Sequence, residues 1–415
     1  MSDLTSVDTS PGAITRVPGF RAAGVACGLK AGGATDLALV ACERQAAAAA
    51  VFTTNAFKAA PVLYDQALLF PQAEPALEVD RRVPPRRSQA IQAVVINAGN
   101  ANACTGTQGL RDSQRMARLA EAALGLSADS ALVMSTGVIG QRLPMERVEA
   151  GIQAAAAALS ALGGADAARA IMTTDLVPKE AFAQVELGGA LVSIGGMAKG
   201  SGMIHPDLAA PAHATMLALI VTDAALSPDA LQAALGRAVA ASFNRITVDG
   251  DTSTNDTVVL LASGEKRAGM EGWKDGRLEG FEAALTAVCV SLARQIARDG
   301  EGATRLVEIQ IHGAASDGEA EAAAKTVATS PLVKTAIFGT DPNWGRVLAA
   351  IGRSGAQVAP ERTSLWLGAV QLVAGGEPLD FDLAAARAAL QAPEVCLVAD
   401  LGLGTGQATV WTCDF

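Results

Sequence analysis

The chain has 415 residues, half of them hydrophobic and 18% charged, which allows two or three domains with cores of their own and excludes both a stapled mini-protein and a disordered segment. Its 32 Lys and Arg against 42 Asp and Glu leave a formal charge of -10, which repels a phosphate backbone and argues against nucleic acid as a partner. No apolar run approaches the roughly 18–20 residues that cross a bilayer. No basic-then-apolar leader opens the chain, and its six cysteines lack C-x-x-C spacing, so they read as reduced thiols of a cytoplasmic protein.

In chain order, residues 48–52 read as a short strand running into the polar turn Thr53-Thr54-Asn55. Residues 64–89, with Pro71, Pro75, Pro84 and Pro85 near Arg81, Arg82, Arg86 and Arg87, read as an inserted loop. The apolar run 91–96 suits a buried strand ending in the small polar cluster Asn97-Ala98-Gly99-Asn100-Ala101-Asn102. Helical spacing covers 113–124 and 144–162, the second with Pro144 in its first turn and Gly163-Gly164 as its stop. Residues 182–187 and 190–194 around Gly188-Gly189 predict a hairpin. The stretch 195–202 is too rich in glycine for a regular element.

A strand resumes at 217–221, and Ser227 caps a helix reaching about Ala241. Further elements alternate at 257–261, 281–297, 305–311, 319–327, 344–351, 367–373, 383–390, 394–400 and 408–412. The predicted fold class is α/β, with layered mixed sheets and helices.

One segment stands out chemically. Lys199-Gly200-Ser201-Gly202-Met203-Ile204-His205-Pro206 leads through His213-Ala214 to Thr215 at the head of an apolar strand. A threonine hydroxyl is a poor nucleophile unless a base lies beside it, and its own α-amino group, with a pKa of roughly 8, is such a base once the preceding peptide bond is cut. Small Ala214 leaves room for the hydroxyl to attack its carbonyl. The competing reading makes Thr215 an ordinary β-branched strand opener.

Other candidates carry less. In Ser135-Thr136-Gly137-Val138-Ile139-Gly140 the Thr136 hydroxyl and Gly137 N–H could receive a tetrahedral oxyanion, or the segment is a plain glycine turn after a strand over 131–134. Thr173-Thr174-Asp175 and the runs 249–256 and 299–305 are polar clusters at element ends. The middle one allows a magnesium site but suits a solvated turn better. Three histidines (His205, His213 and His312) give no metal-site spacing, and the first two suit a loop. Gly402-Leu403-Gly404-Thr405-Gly406 has no βαβ unit around it and is not a dinucleotide fingerprint.

The segments 97–106, 135–140, 199–204 and 214–217, together with Thr340-Asp341-Pro342-Asn343-Trp344-Gly345-Arg346, occur in this order over nearly the whole chain. Together they resemble the ornithine acetyltransferase family, the bifunctional glutamate N-acetyltransferases of arginine biosynthesis. The resemblance implies self-cleavage between Ala214 and Thr215 into an α fragment, 1–214, and a β fragment, 215–415, held in an α2β2 assembly. It implies ping-pong acetyl transfer through Thr215 from N2-acetyl-L-ornithine to L-glutamate, with acetyl-CoA as a second donor in some members and no metal or bound cofactor. Motif by motif, Thr136 and Gly137 become the oxyanion site, and Thr173, Lys199, Thr215 and Glu301 line the substrate pocket. Lys199 would meet the substrate carboxylate and Glu301 its side-chain ammonium.

Two features depart from the family pattern. The connection through 208–213 is about five residues longer than relatives use, and the chain stops at Cys413-Asp414-Phe415, ahead of a tail that supplies further substrate ligands. The alternatives are a self-processing N-terminal-nucleophile amidohydrolase or aminopeptidase, and an unprocessed relative without catalysis.

Overall fold

The computed structural model describes residues 6–70, 90–209, 216–266 and 277–415. His213, Ala214, Thr215 and the arginine- and proline-rich run 71–89 lie outside the described residues. Among the described residues no helix is long and apolar enough to cross a membrane. The chain forms two units, one of Met1–Gly200, Pro206–Asn244 and Thr252–Leu292, the other of Ser201–His205, Arg245–Asp251 and Ala293–Phe415. Each draws on residues from both sides of the 214/215 junction.

The first unit carries β1 Phe20–Val25, β2 Leu37–Thr53, α1 Ala60–Leu69, β3 Ile91–Asn100, α2 Gly106–Leu124, β4 Ala131–Val138, α3 Met145–Ala158 and α4 Gly164–Ala170. It continues with β5 Lys179–Leu187, β6 Ala190–Lys199, β7 Leu208–Ala209, β8 Leu217–Ala224, α5 Pro228–Ala240, β9 Thr257–Lys266 and most of α6 Arg277–Arg298. The sheet order is β4-β3-β2-β9-β8-β6-β5, with β1 and β7 also paired to β2. The pivot is β2: its first part pairs with β1 and β3, a bulge follows Ala41, and residues 47–52 pair with β9.

Period-two alternation then sorts the side chains. Ala38, Val40, Val94, Ile96, Leu132 and Met134 enter a core shared with Met197, Leu219, Val221, Val259 and Leu261 of the other half-sheet. Leu37, Leu39, Ala93, Val95, Ala131 and Val133 face Met116, Ala120, Val148 and Ile152 of α2 and α3. On the far side, Leu292 and Val288 of α6 lie against Gly196. The unit is therefore layered helix, sheet, sheet, helix, within the predicted α/β class.

The second unit carries β10 Leu306–Ala314, α7 Asp317–Ala328, α8 Pro331–Phe338, α9 Trp344–Gly352, β11 Ser364–Leu367, β12 Val370–Ala374, β13 Glu377–Pro378, α10 Leu383–Gln391, β14 Glu394–Asp400 and β15 Gly406–Cys413. Its sheet runs β13-β12-β11-β14-β10-β15, over a core of Val307, Ile309, Leu365, Leu367, Leu397 and Val410 with α7 and α9 residues. The segment 340–346 forms the α8–α9 corner. Thr340 takes a left-handed φ of 53°, Asp341 N–H donates to Ala336 O at 2.9 Å, and Arg346 Nη1 donates to Leu332 O at 2.8 Å.

Several sequence expectations are corrected. The strand expected at 48–52 is the end of the 17-residue β2. Residues 64–69, expected as loop, finish α1, where Pro61 sits in the first turn and Val62, Asp65 and Leu68 are buried. Residues 195–199, expected to be irregular, complete β6. A Cβ on Gly195 would fall 2.2 Å from Ala13 O, so the glycines answer a close approach rather than a turn. The helix expected over 144–162 stops at Ala158, Ser160 exchanges backbone hydrogen bonds with Ala22, and Gly164 starts a helix instead of ending one. Residues 367–373 divide between β11 and β12, with Gly368 at φ 56° between them.

Candidate active site

Strand ends of the first unit meet in register around the segments singled out from sequence. Lys199, the last residue of β6, is the Cα partner of Leu217, the first of β8, and Leu217 is partnered in turn with Thr257 of β9. Met216 is buried, and its carbonyl accepts the Thr257 N–H at 2.8 Å. On the neighbouring pair, parallel β3 and β4 align Ala98 with Thr136 and Gly99 with Gly137.

Residues 135–138, expected as a turn after a strand, are still strand. Gly137 is exposed, with φ 129°, and a Cβ there would fall 2.3 Å from Gly99 C. Only glycine fits that approach. An asparagine scaffold holds this corner: Asn97 Oδ1 accepts the Ser135 hydroxyl at 2.6 Å and Asn97 Nδ2 donates to Asn100 O at 2.8 Å. Asn255 Nδ2 donates to Ser135 O at 2.8 Å and to Ala101 O at 2.6 Å.

Thr136 and Lys199 are 3% and 4% exposed, and Lys199 Nζ donates to Thr136 Oγ1 at 3.2 Å. Behind them lies Asp175. Its Oδ1 accepts Lys179 Nζ at 2.7 Å and Gly200 N–H at 2.7 Å. Its Oδ2 accepts Thr173 N–H at 2.8 Å and lies 4.0 Å from Lys199 Nζ. Burial opposes ionisation of Asp175, yet the Lys199 and Lys179 ammoniums and the Thr173 N–H outweigh it and hold the carboxyl at about 2. Lys30 lies in the same field. Burial lowers its pKa, the carboxylates of Asp36 and Asp175 act against that, and Nζ donates to Thr35 O at 2.7 Å and Ala170 O at 3.1 Å.

Of the residues singled out from sequence, the structure brings Thr136, Gly137, Thr173 and Lys199 into one neighbourhood of the first unit. Glu301 belongs to the second unit, is exposed, and donates its N–H to Ser201 O at 3.1 Å. Its carboxylate covers Gly202, where a Cβ would fall 2.6 Å from Oε1. Sequence reasoning gave no role to Asp175, Lys179, Lys30 or Asn255. Only the Thr-Thr-Asp cluster hinted at the first, since Lys179 and Lys30 look like ordinary surface lysines.

The acidic run 249–256 is only half the solvated turn expected: Ser253, Asn255 and Asp256 are buried, and Asp249 accepts the Met203 N–H at 2.6 Å and the Ile204 N–H at 3.0 Å. No group of three or more His, Cys, Asp or Glu that could hold a metal ion occurs among the described residues.

Comparison with known proteins adds to this geometry. The ArgJ family model matches residues 21–415. The "Arginine biosynthesis bifunctional protein ArgJ" of Symbiobacterium thermophilum is 52% identical over 407 residues, covering 97% of this chain and 95% of that protein. The protein of the same name from Gloeobacter violaceus is 45% identical over 416 residues, covering 100% of this chain and 97% of its own length. Among solved structures, an ornithine acetyltransferase from Mycobacterium tuberculosis, complexed with ornithine, is 41% identical with a TM-score of 0.42, covering 49% of this chain and 100% of that one. A family match across nearly the whole length, and relatives about half identical over the same span, establish that this chain belongs to the ArgJ family.

Proposed function

We propose that this enzyme cuts its own chain between Ala214 and Thr215, and that the freed Thr215 then carries acetyl groups from N2-acetyl-L-ornithine to L-glutamate. As a member of the ArgJ family, the chain is an acetyltransferase of arginine biosynthesis. The assignment of Thr215 rests on one observation: the strand that follows it opens with Leu217 in register with Lys199, whose ammonium donates to Thr136.

In the self-cleavage, Thr215 Oγ bonds to the Ala214 carbonyl carbon, the Ala214–Thr215 C–N bond breaks, and water hydrolyses the resulting ester. This leaves a carboxylate on Ala214 and a free α-amine on Thr215. In the transfer, that amine takes the hydroxyl proton as Oγ bonds to the acetyl carbon. The Thr136 hydroxyl and Gly137 N–H receive the oxyanion. The acetyl C–N bond then breaks, and ornithine leaves with the proton on its amine. Glutamate attacks the acetyl-Thr215 ester through its own amine, and one amine proton returns to Oγ.

Thr173, Lys199 and Glu301 line the pocket in this reading, the cation suiting a substrate carboxylate and the anion a side-chain ammonium. Acetyl-CoA serves as a second donor, no metal takes part, and the two fragments assemble as α2β2 in the cytoplasm.

Denaturing mass spectrometry joined to an acetyl-transfer assay tests the proposal. Two fragments, one with an N-terminal threonine, and labelled N-acetylglutamate from labelled N-acetylornithine are the expected result. Acetate alone in the presence of glutamate makes the enzyme an amidohydrolase instead. A permanently intact chain that forms neither product sinks the reading.

A further inference from the structure

We propose that Asp175 is a positioning residue for the oxyanion site, acting through Lys199 to fix the direction in which the Thr136 hydroxyl donates. The inference rests on the reading above, in which Thr136 meets the oxyanion.

An ammonium has protons to give and no lone pair to accept with. When Lys199 Nζ donates to Thr136 Oγ1 at 3.2 Å, the hydroxyl hydrogen of Thr136 cannot point back at Lys199. It turns to another acceptor, and a cationic donor on the oxygen polarises the O–H so that it donates more strongly. Lys199 therefore does more than offer a charge to a substrate carboxylate: it keeps Thr136 in the donor role that an oxyanion needs.

Asp175 is what holds that ammonium there, charged. Its carboxylate fixes the backbone corner after Lys199 by accepting the Gly200 N–H at 2.7 Å, and faces Lys199 Nζ at 4.0 Å. The same carboxylate neutralises Lys179, which is fully buried. Without it, Lys199 would face the buried Lys179 ammonium and the half-buried Lys30 with no compensating charge from this position. A Lys199 that lost its proton or swung away would release Thr136. A neutral amine would even accept from the hydroxyl and turn its hydrogen out of the site.

The test is a double-mutant cycle on the full-length enzyme, with kcat and KM for transfer from N-acetylornithine to glutamate. Asp175→Asn keeps one oxygen, for the Gly200 N–H, while its amide nitrogen replaces the oxygen that accepts the Thr173 N–H, and it removes the charge. It is expected to lower kcat by roughly 10- to 100-fold with KM within about threefold. In a Thr136→Val background the same change is expected to cost less than about threefold, because the hydroxyl it directs is gone. A merely structural role for Asp175 would produce equal losses in both backgrounds, and that result overturns the proposal. So does a raised KM at unchanged kcat, which would make Lys199 purely a carboxylate binder. If Asp175→Asn does not fold, Asp175→Asn with Lys179→Met removes the buried pair together and carries the same comparison. A wild-type chain that is neither cleaved nor active overturns the parent reading and this one with it. A cleaved, active wild type with additive losses overturns this one alone.

Discussion

Two buried carboxylates, one in each unit, are kept ionised by different means. In the second unit Asp414 is closed off within a two-residue stretch: it accepts the Thr304 N–H at 2.7 Å, the Arg305 N–H at 2.8 Å, the Thr304 hydroxyl and Arg305 Nη1 at 2.8 Å. Burial opposes its charge, and these donors together hold its pKa below the usual value. Its partners tie the end of β15 to the start of β10, and Arg305 Nη1 also reaches the end of α8, donating to Phe338 O at 3.4 Å. Asp175 gathers donors from Thr173, Lys179 and the Lys199-Gly200 corner, and one of its cations reaches onward to a hydroxyl. A carboxylate whose donors come from one short backbone stretch locks a fold, whereas one whose cation reaches a hydroxyl of the site sets the charge there.

The sharpest way to break this contrast lies just ahead of β8. Thr215→Ala should leave a single species near 42.0 kDa by denaturing mass spectrometry and abolish transfer, whereas an active, cleaved variant would detach the Asp175 cluster from any chemistry at that strand. Thr136→Val should lower kcat by roughly 10²- to 10³-fold, the scale for one oxyanion donor. Steady-state kinetics at saturating donor decides it.

Asp414→Ala should cost about 3 kcal/mol of stability in urea unfolding, since it removes the carboxylate paired with Arg305 and the acceptor of two backbone N–H groups. Its kcat per folded molecule should stay at the wild-type value. A kcat loss like that of Asp175→Asn would erase the distinction between the two carboxylates. Gly137→Ala should destabilise by about 1–3 kcal/mol, because alanine can neither take φ 129° cheaply nor avoid Gly99.

The smallest effect sharpens the comparison with a third carboxyl of opposite sign. Asp65 of α1 accepts the Val133 N–H of strand β4 at 3.0 Å, while its buried Oδ2 has no partner among the described residues. Burial pushes its pKa well above the usual value, against the pull of that one N–H. Its contribution is therefore fully present below the unfolded carboxylate pKa and is lost as pH rises through the raised native one. Asp65→Asn should be the more stable protein at neutral pH and lose that advantage in acid. Asp175, held at about 2, behaves in the reverse way, with stability lost as pH falls toward that value. Thermal melts of both variants across the acid range read the two signs.

Much of this was legible from local pattern. The hairpin about Gly188-Gly189, the cap at Ser227, whose side chain accepts the Ala230 N–H, and the strand at 91–96 each show a periodicity or punctuation confined to a few neighbours. The errors cluster where glycine was read as punctuation. At Gly195 and Gly163 it stands instead where another backbone comes too close for a Cβ, and that backbone, at Ala13 or Ala22, is far away in sequence.

By itself the sequence determined the α/β class, the order of most elements and the motifs that mark the family, because alternation, helical spacing and capping are short-range properties of the chain. Only the tertiary structure decided that Thr136, Asp175, Lys179 and Lys199 share one buried network. Strand register sets which distant residues face each other, a slip of one residue would turn each side chain to the opposite face, and no local pattern records which register wins.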